Sequence, residues 1–232
     1  MSISAHEHSA LLSLAVHEFR TPLTVVAGYT KMLMNEQLGP LSDRQRQVLA
    51  EVEQQCKRLS TLLYEMSALA DLADPDAPTG GQDEIALPTL LEDATRGLEG
   101  GESGPPAIVR APTSDALTIR GDRKGLTSAL AALIKAVVRE QGGAARVSVG
   151  AGSRQHNGRP VAAIAIGRED ALDTSHDGGP DARFNEYPGG IGLGLPIARR
   201  VIEQAGGRIW SSAEGRHLGV ITVLLPLKES LS

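Results

Sequence analysis

A chain of 232 residues is long enough for two small domains or one large one. A formal net charge of −5, with Lys and Arg interleaved with acids throughout, excludes a nucleic-acid footprint. With two Phe, three Tyr and one Trp, the cores must be built from Leu, Val, Ile and Ala.

The single cysteine, Cys56, excludes an internal disulfide framework and fits a reducing compartment. It falls on an apolar helical stripe, which predicts a small core residue rather than a nucleophile. The N-terminus has no basic start and no clear cleavage site, so no signal peptide is expected. The longest apolar run, Ala129 to Val138, is interrupted by Lys135 and is too short to span a bilayer. The expectation is a cytoplasmic protein with no membrane segment in this chain.

Two long helical patterns fill residues 1–73. In the first, Leu12, Ala15, Phe19, Pro22, Val26, Tyr29 and Leu33 are spaced by alternating steps of three and four; Leu49, Val52, Cys56, Leu59, Leu63, Met66, Ala70 and Ala73 repeat the pattern. Such spacing is a heptad seam, suited to bundle packing. Leu38-Gly39-Pro40 breaks the chain between them, and Ser42 followed by Gln45 reads as a capping box. A lone hairpin leaves one side of its seam wet, so two copies are expected to pair into a dimeric four-helix bundle.

Residues 74–84 read as a polar Pro/Gly linker. Residues 85–232 mix elements. Helices are expected at about Pro88–Leu98, Arg123–Glu140 and Pro196–Gln204. Strands are expected at about Ala145–Ala151, Pro160–Gly167, Arg208–Ser212 and Val220–Leu225, with a turn at His156-Asn157-Gly158 joining the first two. The fold class is therefore α+β: a helical hairpin followed by an α/β sandwich.

In the first helix the heptad frame places His17 at an f position, facing solvent. Glu18 is adjacent, Thr21 is one turn onward, and Pro22 removes a backbone donor and is expected to kink the helix. A neutral imidazole can attack phosphorus through one ring nitrogen, and a carboxylate bonded to the other fixes the tautomer and raises nucleophilicity. An isolated histidine on a polar helix face is ordinarily just solvated; the string around this one changes the reading.

HEFRTPLT, from His17 to Thr24, resembles the phospho-acceptor box of histidine kinases, and RLSTLLYEMSALADL is similar to the second helix of that family's dimerisation hairpin. The resemblance implies that His17 accepts phosphate, that Glu18 assists and that Thr21 supports dephosphorylation. It also implies a homodimer and a response-regulator receiver domain as partner; if ATP fails, a phosphorylated receiver or a partner histidine kinase is the expected phosphate donor. Gly190, Gly192, Leu193, Gly194 and Leu195, in GGIGLGLPIARRVIEQAGGRIWSSAEG, resemble the glycine box of the family's ATP-binding domain, where backbone amides and a helix N-terminus meet phosphates. No strand directly precedes them, which excludes a dinucleotide-binding fingerprint. Gly121-Asp122-Arg123 resembles the entry to the family's asparagine-bearing helix.

The resemblance implies ATP and magnesium as cofactors, but two departures count against both. Ala132 and Ala136 stand where the family helix carries asparagines. Arg168 stands where an aspartate reads adenine, and Asp170 reaches that place only after a two-residue slip. The lid over the phosphates is short, with Arg183-Phe184 the sole trace of its usual phenylalanine. His6 and His8 have no further ligand nearby, and no metal site is expected. Three functions follow: phosphotransfer or phosphatase action through His17, an ATP-using histidine kinase, or a regulatory module that docks on a kinase or response regulator.

Overall fold

The computed structural model of the chain describes residues 5–73, 83–96, 98, 108–110, 117–140, 146–168, 184, 192–214 and 217–228. It divides into two compact units, 1–77 and 78–232.

In the first unit, α1 (Ala5–Met34) and α2 (Asp43–Ala73) form a hairpin. Glu36 and Gly39 adopt positive φ in the connection, and the residue with φ +117° is the glycine, which has no Cβ to clash. The capping box forms: the Ser42 amide donates to Gln45 Oε1 at 2.9 Å, and the Gln45 amide donates to Ser42 Oγ at 3.4 Å. An Arg46–Glu36 ion pair ties the first turn of α2 back to the loop.

The intrachain stripe differs in part from the expected seam. Of that seam on α1, Leu12, Ala15 and Leu33 are half-buried, but the stripe is centred on Leu12, Val16, Leu23, Ala27, Thr30 and Met34, with Val16 and Thr30 buried. At about 100° per residue these six lie within an arc of about 60°. Phe19, Val26 and Tyr29 are instead 61%, 48% and 61% exposed. Thr30 can occupy the stripe because its hydroxyl donates to the Val26 carbonyl at 2.8 Å. On α2, Leu49, Val52, Leu63 and Met66 are half-buried and Cys56 and Ala70 buried, as the seam requires, whereas Leu59, on the same arc, is exposed.

The second unit is a five-stranded sheet carrying helices. Its strands are β2 (Ile108–Arg110), β4 (Val147–His156), β5 (Arg159–Arg168), β7 (His217–Pro226) and β6 (Arg208–Glu214), in that spatial order. All pairs are antiparallel except β2 with β4. Val147, Val149, Ile164, Ile166, Ile221 and Val223 alternate onto the face that packs with α3 (Leu87–Thr95), α4 (Arg123–Glu140) and α5 (Gly194–Gln204). The β4–β5 turn places Asn157 and Gly158 at φ +51° and +73°, the pattern of a two-residue hairpin loop.

A two-stranded ribbon, β1 (Asp83–Ala86) with β3 (Thr118–Gly121), completes the unit. The expected linker therefore overlaps a strand at Asp83 and Glu84. Strands β1, β2 and β3 were not expected, and α3 ends at Thr95, earlier than expected, with the Thr95 hydroxyl bonded back to the Leu91 carbonyl at 3.0 Å.

Two carboxylates pin these elements. Lys228 and Arg120 donate to Glu84 and hold its carboxyl below the usual range. Arg123, 2.7 Å from Asp93, does the same there and ties α3 to the first turn of α4. A carboxylate with a depressed folded pKa contributes stability above its unfolded pKa, and that contribution disappears as pH falls through the folded value. The thermal midpoint of the second unit is therefore expected to fall on acidification below about pH 4. Glu84→Gln with Asp93→Asn should flatten that slope in a calorimetric pH series; an unchanged slope would remove both pairs from the account.

Candidate active site

The α1 helix has three sectors. One faces α2; a second, of Phe19, Pro22, Val25, Val26, Tyr29 and Met32, is exposed and largely apolar, with Glu18 on the same arc. The remaining arc, about 100° wide, holds His17, Arg20, Thr21, Thr24 and Lys31. His17 lies near its middle, across the helix from Val26, and is exposed. A helix apolar over most of its circumference is one with neighbours on two sides.

Around His17, α1 remains a single helix through Pro22. Proline has no N–H for the carbonyl four residues back, so the Glu18 carbonyl lacks its helical donor. The Thr24 hydroxyl donates to the Arg20 carbonyl at 2.8 Å, which leaves Thr21 as the unengaged hydroxyl one turn from the imidazole. Glu18 and Thr21 are exposed like His17, and no hydrogen bond joins the three among the described residues.

In the second unit, Gly192 adopts φ +115° and leads into α5, whose N-cap, Leu193, makes no side-chain cap. The first helical bond runs from the Ile197 amide to the Leu193 carbonyl at 2.9 Å. By helix geometry the Gly194 and Leu195 amides have no intrahelical acceptor, and Pro196 has no N–H to offer. Gly190 lies outside the described residues, as do Asp170 and Arg183.

Asp122 accepts from the Lys124 amide at 3.0 Å and starts α4 at Arg123, where the glycine-aspartate pair suggested an entry. On that helix Ala132 is half-buried and Ala136 is 6% exposed within the apolar core. Arg168 ends β5 and is exposed. Phe184 is half-buried and packs against the main core. The side chains of His6 and His8 lie outside the described set.

These placements define a helical hairpin with an exposed histidine, followed by a sheet domain with a glycine turn at a helix start. Residues 7–75 match the His Kinase A (phospho-acceptor) domain family. The chain is 33% identical over 220 residues to the sensor histidine kinase AruS of Pseudomonas aeruginosa, covering 87% of this chain and 21% of that protein. It is 26% identical over 218 residues to the sensor protein DivL of Caulobacter vibrioides, covering 90% and 27%. Full-length ShkA, solved in complex with AMPPNP, superposes with a TM-score of 0.66 at 24% identity over 96% of this chain and 47% of that one. The histidine kinase AdeS of Acinetobacter baumannii gives 0.55 at 17% identity, over 92% of this chain and 98% of that one. Residues 7–75 thus belong to the phospho-acceptor domain family of histidine kinases, and over most of its length the chain is similar to sensor histidine kinases of two-component signalling. It spans between 21% and 27% of the length of the curated relatives it matches. No helix among the described residues is long and apolar enough to cross a membrane.

Proposed function

We propose that this chain carries a phosphoryl group on His17 and exchanges it with the aspartate of a response-regulator receiver domain, acting as a homodimer. The observation that carries the reading is the exposed imidazole in the polar sector of α1, inside the segment that matches the phospho-acceptor family.

In the transfer, a lone pair on one His17 ring nitrogen attacks phosphorus of the regulator's aspartyl phosphate. The N–P bond forms, the P–O bond to the aspartate breaks, and the carboxylate leaves with the electron pair. Glu18 accepts a hydrogen bond from the other ring nitrogen once the partner closes over the helix, which favours the tautomer with the attacking lone pair free. The reverse reaction returns phosphate to the regulator. In hydrolysis Thr21 orients a water molecule, whose oxygen attacks phosphorus while the N–P electrons return to the imidazole.

The residues fit the phosphates of a nucleotide but not the rest of ATP. The Gly192–Leu195 turn supplies amides and a helix N-terminus. The Ala132 and Ala136 methyl groups offer magnesium no ligand, and Ala136 is sealed in the core. A guanidinium at Arg168 cannot accept a hydrogen bond from the adenine amino group. The complex with AMPPNP is that of ShkA. The glycine turn at α5 is the one observation that favours a second reading, an ATP-using kinase.

A radiolabelled, phosphorylated receiver domain should pass label to the wild-type chain and none to His17→Gln. Thr21→Ala should acquire label normally and lose it more slowly. A decay rate unchanged in Thr21→Ala would remove that hydroxyl from the mechanism. A chain that takes no label from any donor would be a docking module instead.

A further inference from the structure

A second site lies at the other end of α5. Gly206, just past that helix, lines a cavity of about 550 Å³ bordered by the β4–β5 turn, the start of β6 and the end of β7. The glycine turn stands at the opposite end of the same 11-residue helix, about 16 Å away at about 1.5 Å per residue. The two are distinct.

Three cationic or ionisable side chains, His156, Arg159 and Arg208, line the cavity, and no aspartate or glutamate does. His156 and Arg159 are cross-strand partners on β4 and β5, and Arg208 approaches from β6. The Arg208 guanidinium lies 3.4 Å from His156 Nε2. A guanidinium can only donate, so Nε2 is the acceptor there, and the contact holds Arg208 beside the cavity. Asn157 Nδ2 lies 3.4 Å from the same nitrogen. Neither Arg159 nor Arg208 has a carboxylate partner among the described residues. Two guanidiniums facing one space without a counter-charge create a field that favours an anion. The rest of the lining is apolar, with Val161 and Leu224 buried in its wall.

We infer that this cavity binds a small organic anion, a carboxylate or phosphate carried on an apolar body. Arg159 and Arg208 hold the charged end, and Val161 and Leu224 receive the body. The volume falls within the roughly 300–1,000 Å³ of small-molecule sites, which favours a small ligand over a protein surface. A bare phosphate would satisfy the arginines and leave the apolar wall wet; a neutral chain would do the reverse.

The chain reports on its own site. Its single tryptophan, Trp210, clusters with Val161 and Leu224. Calorimetric titration of the full chain with hexyl phosphate should give saturable binding, with Trp210 fluorescence changing over the same concentrations. Hexanol should give none, and inorganic phosphate should bind at least about tenfold more weakly. Arg159→Gln with Arg208→Gln should weaken hexyl phosphate at least about tenfold, whereas Arg159→Lys with Arg208→Lys should retain most of it. Hexanoate binding as tightly as hexyl phosphate would assign a carboxylate ligand, and preference for the phosphate would assign a phosphate; both support the site. Three results overturn it: no binding up to about ten millimolar, undiminished binding in the glutamine variant, or binding that leaves Trp210 fluorescence unchanged.

Discussion

Calorimetry is expected to find ATP binding in the range of about a millimolar or weaker, with little preference over GTP and little dependence on magnesium. Three placements lead there. Arg168 stands at the end of β5 where the family resemblance calls for an acceptor, and a guanidinium leaves the adenine amino group unpaired as a pocket closes. A hydrogen bond to a charged group contributes about 1.5–3 kcal/mol, so its loss alone costs roughly ten- to a hundredfold in affinity. Ala136, packed in the core beneath α4, cannot replace a magnesium ligand, and without the metal the phosphate charges go unneutralised. What remains is the Gly194 and Leu195 amides at the start of α5, which bind phosphate without regard to the base. Arg168→Asp should restore some preference for ATP over GTP. Tight, adenine-selective, magnesium-dependent binding by the wild type would show that another carboxylate serves the site, and the ATP-using reading would replace the proposal.

Leu59→Asp should convert the protein from dimer to monomer while leaving its helix content nearly intact. Leu59 is 51% exposed on the single chain, so a carboxylate there is solvated in the monomer and folding loses little. On assembly the same carboxylate would be driven into an apolar seam beside the exposed sector of Phe19, Val26 and Tyr29, at a cost of several kcal/mol. Tyr29→Asp should act alike from α1. Light scattering with circular dichroism separates assembly from folding. A wild-type chain that stays monomeric at high concentration, or a Leu59→Asp protein that still dimerises, would contradict the bundle.

How much of this was legible in the sequence depended on the length of each pattern. The α4 helix was read to its ends because Asp122 caps it and seven of its side chains repeat at helical spacing onto one buried face. The β4–β5 hairpin was read from Asn157-Gly158, since few residues tolerate that positive-φ pair. The three strands before α4 were not legible. They are three or four residues long, and β1 buries only Ile85, so their form comes from the partner strand rather than from their own pattern. The heptad frame of α1 was ambiguous for a different reason. Apolar residues occupy most of its circumference, and Thr30, a polar residue satisfied by its own helix, disguises the stripe that meets α2. His17 was singled out by the whole string from His17 to Thr24 together with the heptads around it. The basic cavity was not, because His156, Arg159 and Arg208 come from three strands and meet only when the sheet is assembled.

The measurement that bears most directly on His17 is site mapping of the phosphoryl group. The full chain is incubated with a phosphorylated receiver domain and, separately, with an active histidine kinase and ATP, then digested under alkaline conditions that preserve phosphohistidine. Mass spectrometry should place one acid-labile phosphate on the peptide bearing His17, and none on any peptide of His17→Gln. Phosphate on another residue, or label that persists in His17→Gln, would contradict the proposal.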